Sequence, residues 1–170
     1  MQDIISDINE YCQNHSTIFD PVLLDIERAT FLRTLAPRML SGQLQGSLLT
    51  MISKIKQPKN ILEIGTFTGY SAICLAHGLD PKGTLITIEC DAENALIASE
   101  FISWSGFADS IHLMVGDAKS IIPKLDIIFD LVFIDADKEA YSQYFDLVID
   151  KCNPGALILA DNVLWSGKIL

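Results

Sequence analysis

Five short apolar runs, separated by stretches of helical periodicity, constrain this chain more than any other feature. They are "NILEIG" (60–65), "TLITIE" (84–89), "IHLMVG" (111–116), "DLVFID" (130–135) and "ALILAD" (156–161). Helical patterns fall between them, near 70–79, 92–104, 118–124 and 138–150. A continuously apolar run reads as a strand covered on both faces. Such strands alternating with helices predict a doubly wound α/β fold, a mostly parallel sheet with right-handed crossovers. "DPKG" and "NPG" mark turns.

Residues 1–56 read as helices, and 57–170 as the α/β core of the same single domain. In "FDPVLLDIERATFLRTLA", Asp20 is placed as an N-cap and Pro21 as the first helical residue, with Phe19 and Leu24 at staple spacing. Leu44, Leu48, Ile52 and Ile55 predict one apolar face of a helix that "QPKN" ends.

The 170 residues are 49% hydrophobic and 20% charged, enough for a sizeable core and too apolar for disorder. A net charge of -10 disfavours nucleic acid and anionic membranes, which require a basic footprint. No apolar run approaches the ~20 residues of a membrane span. The start, "MQDIISDINEYC", lacks the pattern of a signal peptide. Cys12, Cys74, Cys90 and Cys152 form no C-x-x-C pair and read as buried free thiols in a reducing compartment. A soluble, cytoplasmic protein is expected.

In a doubly wound fold, ligands sit beyond the carboxyl ends of the strands. The first run ends in "EIGTFTGYS", where Glu63, Gly65 and Gly69 form E-x-G-x-x-x-G. Glycine there permits a tight turn and close ligand approach, although glycine turns also follow first strands for steric reasons alone. The second run ends in Glu89, placed to accept both hydroxyls of a ribose or simply to open the next helix. The third ends in "GDA", where Asp117 suits an adenine amino group and equally a helix N-cap. Together these ends trace an adenosine-shaped site. The last two runs end in Asp135 and in Asp161-Asn162, hard oxygen donors that suit Mg²⁺ or a similar divalent cation. Helix capping and turn formation are the alternative uses of these residues.

With "LEIGTFTGYSA", "FIDADK" and its following tyrosine, and "ADNVLWSGK", the sequence resembles the cation-dependent O-methyltransferases. That family includes catechol and caffeoyl-coenzyme A O-methyltransferases. The resemblance runs from about Met39 to Leu170, and more loosely from Leu23. It implies a Rossmann-like fold that binds S-adenosylmethionine. Ser41, Glu63, Gly65, Thr66, Gly69 and Ser71 would lie at the methionine end, and Glu89 at the ribose. Asp117 and Ala118 would face the adenine, with Asp137 close to the cofactor. Asp135, Asp161 and Asn162 match the family's metal ligands, Lys138 its general base, and Trp165 a tryptophan bordering the acceptor. The acceptor implied is a small catechol-like phenol. With only Arg28, Arg33 and Arg38 as arginines among the amino-terminal helices, a coenzyme A thioester is not favoured. A homodimer is implied, as are two further strands at the sheet edge that the sequence to Leu170 does not reach.

Two other readings compete. Glu89 would serve NAD in an oxidoreductase equally well, but G-x-G-x-x-G is absent and the oxygen ligands would be left without a role. The other is a truncated, non-catalytic core that binds the cofactor or dimerises.

Overall fold

The computed structural model describes residues 2–17, 20–164 and 167. Phe19 of the expected staple and Trp165 of the expected acceptor wall lie outside them. Seven α-helices and five strands are described. The helices are α1 (Gln2–Asn14), α2 (Val22–Arg33), α3 (Gly42–Lys56), α4 (Tyr70–Ala76), α5 (Ala92–Trp104), α6 (Ala118–Ile121) and α7 (Tyr141–Ile149). The strands are β1 (Asn60–Ile64), β2 (Thr84–Glu89), β3 (Ile111–Val115), β4 (Phe129–Ile134) and β5 (Cys152–Ala160). They form one sheet in the order β3-β2-β1-β4-β5, and every described pair is parallel.

The continuous apolarity of the runs follows from helices on both faces. Ile61, Leu85, Ile111, Leu131 and Phe133 pack with α2, α3, α4 and α5. Leu62, Ile64, Ile86, Ile88, Val132 and Ile134 pack with α6 and α7 on the other side. Successive side chains point to opposite faces, so a strand buried on both sides has no polar alternation to show.

α2 begins one residue later than expected: Pro21 is its N-cap, and Asp20 Oδ1 accepts the Val22 N–H at 3.0 Å from the turn ahead of it. Gln57, in the left-handed conformation at φ +48, ends α3 where "QPKN" predicts. The buried face of α3 is not the expected one. Leu44, Leu48 and Ile55 are exposed, Ile52 is half-buried, and the buried positions are Gly46, Leu49, Thr50 and Ser53. The Thr50 and Ser53 hydroxyls donate to the Cys74 and Leu75 carbonyls at 3.0 and 2.6 Å. Small side chains let α3 approach α4 closely, and the apolar row is left outside.

β5 begins at Cys152, before the expected start at Ala156. Its pairing with β4 passes from Phe129↔Cys152 to Leu131↔Leu157, so the "NPG" segment bulges out between two paired stretches. Among the cysteines only Cys74 is buried; Cys90 is exposed, because it follows the end of β2 at the sheet's open edge.

Candidate functional site at the carboxyl edge of the sheet

The strand order reverses between β1 and β4, and their ends are stitched together. The Asp135 N–H donates to the Ile64 carbonyl at 2.9 Å, and the Asp161 N–H donates to the Ile134 carbonyl at 3.0 Å. Gly65 follows β1 at φ +99, and a Cβ on it would lie 2.0 Å from the Asp135 carbonyl oxygen. Only glycine allows this approach, which turns the chain away from the sheet toward α4.

Two clefts open along this edge. The first, of about 670 Å³, is lined by residues that include Ser41, Gln45, Thr66, Ser71, Lys138, Asp161 and Asn162. The second, of about 270 Å³, includes Glu89, Cys90, Asn94, Asp117, Ala118, Asp137 and Tyr144. Met39, Gly65, Phe67, Asp135 and Ala136 form a wall common to both. The two acids of "FIDADK" are thus placed differently. Asp135 borders both clefts, whereas Asp137 borders the second alone.

The strand-end acids also organise the backbone. Glu89 accepts the Phe67 N–H at 2.7 Å and the Asp91 N–H at 2.9 Å through separate oxygens, so it braces the loop after β1. Asp117 accepts the Lys119 N–H at 2.9 Å as the N-cap of α6. Asp137 accepts the Glu139 N–H at 3.2 Å at the head of a 3₁₀ turn, Lys138–Ala140. Capping and lining a cleft are therefore compatible at Asp117 and Asp137.

Glu63 and Gly69 line neither cleft. Gly69, at φ +93, begins α4 and faces Ala98 of α5. Glu63 is on the same sheet face as Ile61 and fully buried beneath the loop. Its Oε2 accepts the Thr87 hydroxyl, which is itself bonded to Thr66, and Oε1 has no well-aligned partner. Burial pushes the Glu63 carboxyl up to about 8, although the nearby Ser71 and Thr87 hydroxyls favour its ionised form.

Between the clefts and the end of β5 lies a charged cluster. Lys138 Nζ donates to Asp135 Oδ1 at 2.8 Å and to the Tyr141 hydroxyl at 2.6 Å. Burial raises the Asp135 carboxyl above its ordinary range; the bond from Lys138 opposes this and the charge of Asp161 adds to it. Burial lowers Lys138, but its bonds to Asp135 and Tyr141 more than reverse that and hold it as an ammonium. Asp161 Oδ2 accepts from Gln45 Nε2 of α3 at 2.6 Å. Asn162, at φ +56, turns beside it in a conformation that Asn tolerates. Among the described residues no group of three His, Cys, Asp or Glu stands at metal-binding spacing. Asp135, Asp161 and Asn162 all line the first cleft, and their two carboxylates and one amide are hard oxygen donors of a kind that a divalent cation of the Mg²⁺ class would take.

The family model described as O-methyltransferase matches residues 13–170. The chain belongs to the O-methyltransferase family. Within that family, it is 42% identical over 130 residues to catechol O-methyltransferase of Niastella koreensis, covering 74% of this chain and 59% of that protein. It is 35% identical over 131 residues to caffeoyl-CoA O-methyltransferase 1 of Eucalyptus globulus, covering 74% of this chain and 53% of that one. The chain spans little more than half the length of these curated relatives. The solved O-methyltransferase TomG of Streptomyces achromogenes, a complex with SAM, matches with a TM-score of 0.90 at 35% identity. That match covers 96% of this chain and 74% of the other. The five-stranded sheet is thus the Rossmann-like fold of the O-methyltransferases, and the NAD-linked reading gives way to this family.

Sequence reasoning missed Phe67, Gln45, Tyr141 and Tyr144 as site residues. Phe67 sits at φ +50 within the loop; it falls inside "LEIGTFTGYSA", but the E-x-G-x-x-x-G spacing leaves its position unspecified. Gln45 and Tyr144 reach the edge from helices, so their placement depends on packing. Tyr141 follows Lys138 by three residues, and that spacing was the available signal.

Proposed function

We propose that this chain transfers a methyl group from S-adenosylmethionine to a hydroxyl of a small catechol-like phenol, assisted by a divalent cation. The observation that carries this reading is the meeting of the two clefts at Asp135, beside Lys138 and near Asp161. The second cleft suits an adenosine, with Glu89 toward the ribose, Asp117 and Ala118 toward the adenine, and Asp137 on the same wall. Ser41, Gly65, Thr66 and Ser71 would line the methionine end. Glu63 and Gly69 would support it from beneath by fixing the loop. Asp135, Asp161 and Asn162 would hold the cation, and Trp165 would border the acceptor.

When bound, S-adenosylmethionine supplies a methyl group on a positive sulfur, and a divalent cation supplies the charge that favours a phenolate. The chain's own residues position and deprotonate. With the methionine end and the acceptor both in the first cleft, the methyl group would face the attacking oxygen end-on, as an in-line displacement demands. Lys138 is the proton acceptor, at Nζ. In the described geometry Nζ is an ammonium bonded to Asp135. It would become a base on giving up one proton, which desolvation favours, and the neutral amine can keep its N–H bonds to Asp135 and Tyr141 while its lone pair faces the acceptor.

One domain, acting as a homodimer in the cytoplasm, completes the reading. The exposed apolar row of α3 supports self-association. The four free cysteines support a reducing compartment. No helix among the described residues is long and apolar enough to cross a membrane.

The test is transfer of labelled methyl to a panel of catechols and monophenols, with Mg²⁺ and with a chelator, beside titration calorimetry with S-adenosylhomocysteine and NAD. Cation-stimulated transfer to catechols is expected, with binding of the homocysteine compound and none of NAD. Binding without transfer would make the chain a cofactor-binding protein, and transfer indifferent to chelator would remove the cation from the reading.

A further inference from the structure

Tyr141 is the first residue of α7, one turn after Lys138. In a 3₁₀ turn, residues three apart lie one above the other, and this brings the phenol against the ammonium. The hydroxyl has three partners. It accepts from Lys138 Nζ at 2.6 Å and faces the carbonyl oxygens of Asp161 and Ile134 at 2.9 and 3.2 Å. Carbonyls only accept, so the phenolic proton is committed to them and an oxygen lone pair is committed to Lys138. Ile134 ends β4, and Asp161 follows β5. One hydroxyl therefore ties the lysine to the two strand ends that carry Asp135 and Asp161. Nζ also lies 4.8 Å from the centre of the Tyr141 ring.

We propose that Tyr141 is a positioning residue that aims the Lys138 amine from the ends of β4 and β5. An ammonium on a four-carbon stem has many rotamers, and a single partner at Asp135 leaves it free to swing. A second partner fixed to the backbone removes that freedom. With two of the three N–H directions taken by Asp135 and Tyr141, the third is set. Misplacing a reacting group by about 1 Å can cost ~100-fold in rate, so the effect falls on turnover. The inference deepens the methyl-transfer reading and rests on it for the direction of catalysis, but the pinning of Lys138 is measurable without turnover.

The variant is Tyr141→Phe, which keeps the ring and removes the hydroxyl. Two readouts are taken on the folded protein. The first is the rate at which an amine reagent labels Lys138, followed by peptide mass spectrometry with the other lysines as internal reference. The second is the kinetics of methyl transfer to a catechol. Lys138 is expected to label several-fold faster in the variant, with the reference lysines unchanged. Turnover is expected to fall roughly 10- to 100-fold, while KM for S-adenosylmethionine changes less than about twofold.

Labelling of Lys138 at the wild-type rate overturns the proposal. So does an equal loss in kcat and cofactor affinity, the pattern of a site that has collapsed. Faster labelling in a protein whose wild type transfers no methyl group leaves the positioning role standing and removes the methyltransferase reading instead. Should Tyr141→Phe fail to fold, 4-fluorophenylalanine at the same position fills the space of the hydroxyl with an atom that scarcely accepts a hydrogen bond. Lys138 labelling must then still rise above wild type, and no rise overturns the proposal.

Discussion

Gly65 sits where a side chain would collide with the Asp135 carbonyl and would also have to adopt φ +99. Both effects act on backbone, which cannot rotate aside. Gly65→Ala is therefore expected to cost at least about 2 kcal/mol and to abolish binding of S-adenosylhomocysteine. Urea denaturation and calorimetry measure the two, and a variant within about 0.5 kcal/mol of wild type would mean that the loop can relax. Glu63 makes a pH-dependent prediction. Its carboxyl titrates at about 8 when folded, against 4.5 as its ordinary value. Between those values the folded chain holds a proton that the unfolded chain has released, so this group's contribution to stability falls as pH rises through that window. The slope is at most ~1.4 kcal/mol per pH unit. Glu63→Gln removes the titration, and its stability relative to wild type is expected to rise between about pH 5 and pH 8. A difference that does not vary with pH would show Glu63 to be ionised throughout. A substitution at Asp161 tests the proposed metal role apart from cofactor binding. Asp161→Ala should abolish cation-stimulated transfer and leave the Kd for S-adenosylhomocysteine within about tenfold, ~1.4 kcal/mol. Parallel loss of both would make Asp161 structural.

At the scale of elements, α3 and α4 meet through small residues, and Gly78 just beyond α4 is the tightest point. A Cβ there would lie 2.1 Å from the Ser53 carbonyl carbon in α3. Gly78→Ala must push the two elements apart, with an expected loss of about 1–3 kcal/mol seen as a lower midpoint in urea. An unchanged midpoint would mean that this contact is loose. The same contact explains what the sequence hid. Thr50 and Ser53 are buried because their hydroxyls satisfy carbonyls of α4, so the apolar period of Leu44, Leu48 and Ile55 marked the exposed side. The strands were legible for the opposite reason, since burial on both faces leaves no room for polar alternation. The acids at the strand ends were legible too, because a doubly wound sheet directs ligands to that edge whatever the loop details. Gln45 and Tyr144 were not, because a helical side chain reaches the site only once the helix is docked; Tyr141 stands in the motif after "FIDADK", but its bond to Lys138 depends on the 3₁₀ turn between them. Glu63 reads as a strand-end acid, yet the pleat turns it beneath the loop, and a one-residue register decides that.

For the molecule as a whole, charge and apolar surface act against each other. Leu44, Leu48, Met51 and Ile55 leave a largely apolar row exposed along α3, and Lys56 Nζ reaches across to the Gly155 carbonyl of β5 at 3.0 Å. This row therefore runs beside the edge strand of the sheet, where Leu157 is also exposed. Two copies meeting here would remove apolar area from water, but each carries a net charge of -10, and their repulsion opposes contact. Salt screens that repulsion over a Debye length of about 10 Å at 0.1 M and 3 Å at 1 M, and it leaves apolar burial intact. Self-association through α3 should therefore tighten as NaCl rises from roughly 0.02 to 0.5 M. An interface held by ion pairs would loosen over the same range. Sedimentation equilibrium at both salts distinguishes the two, and Leu48→Glu should leave the chain monomeric at either salt because it places a carboxylate in the row. Dimers that weaken with salt, or that survive Leu48→Glu, would place the contact on another face.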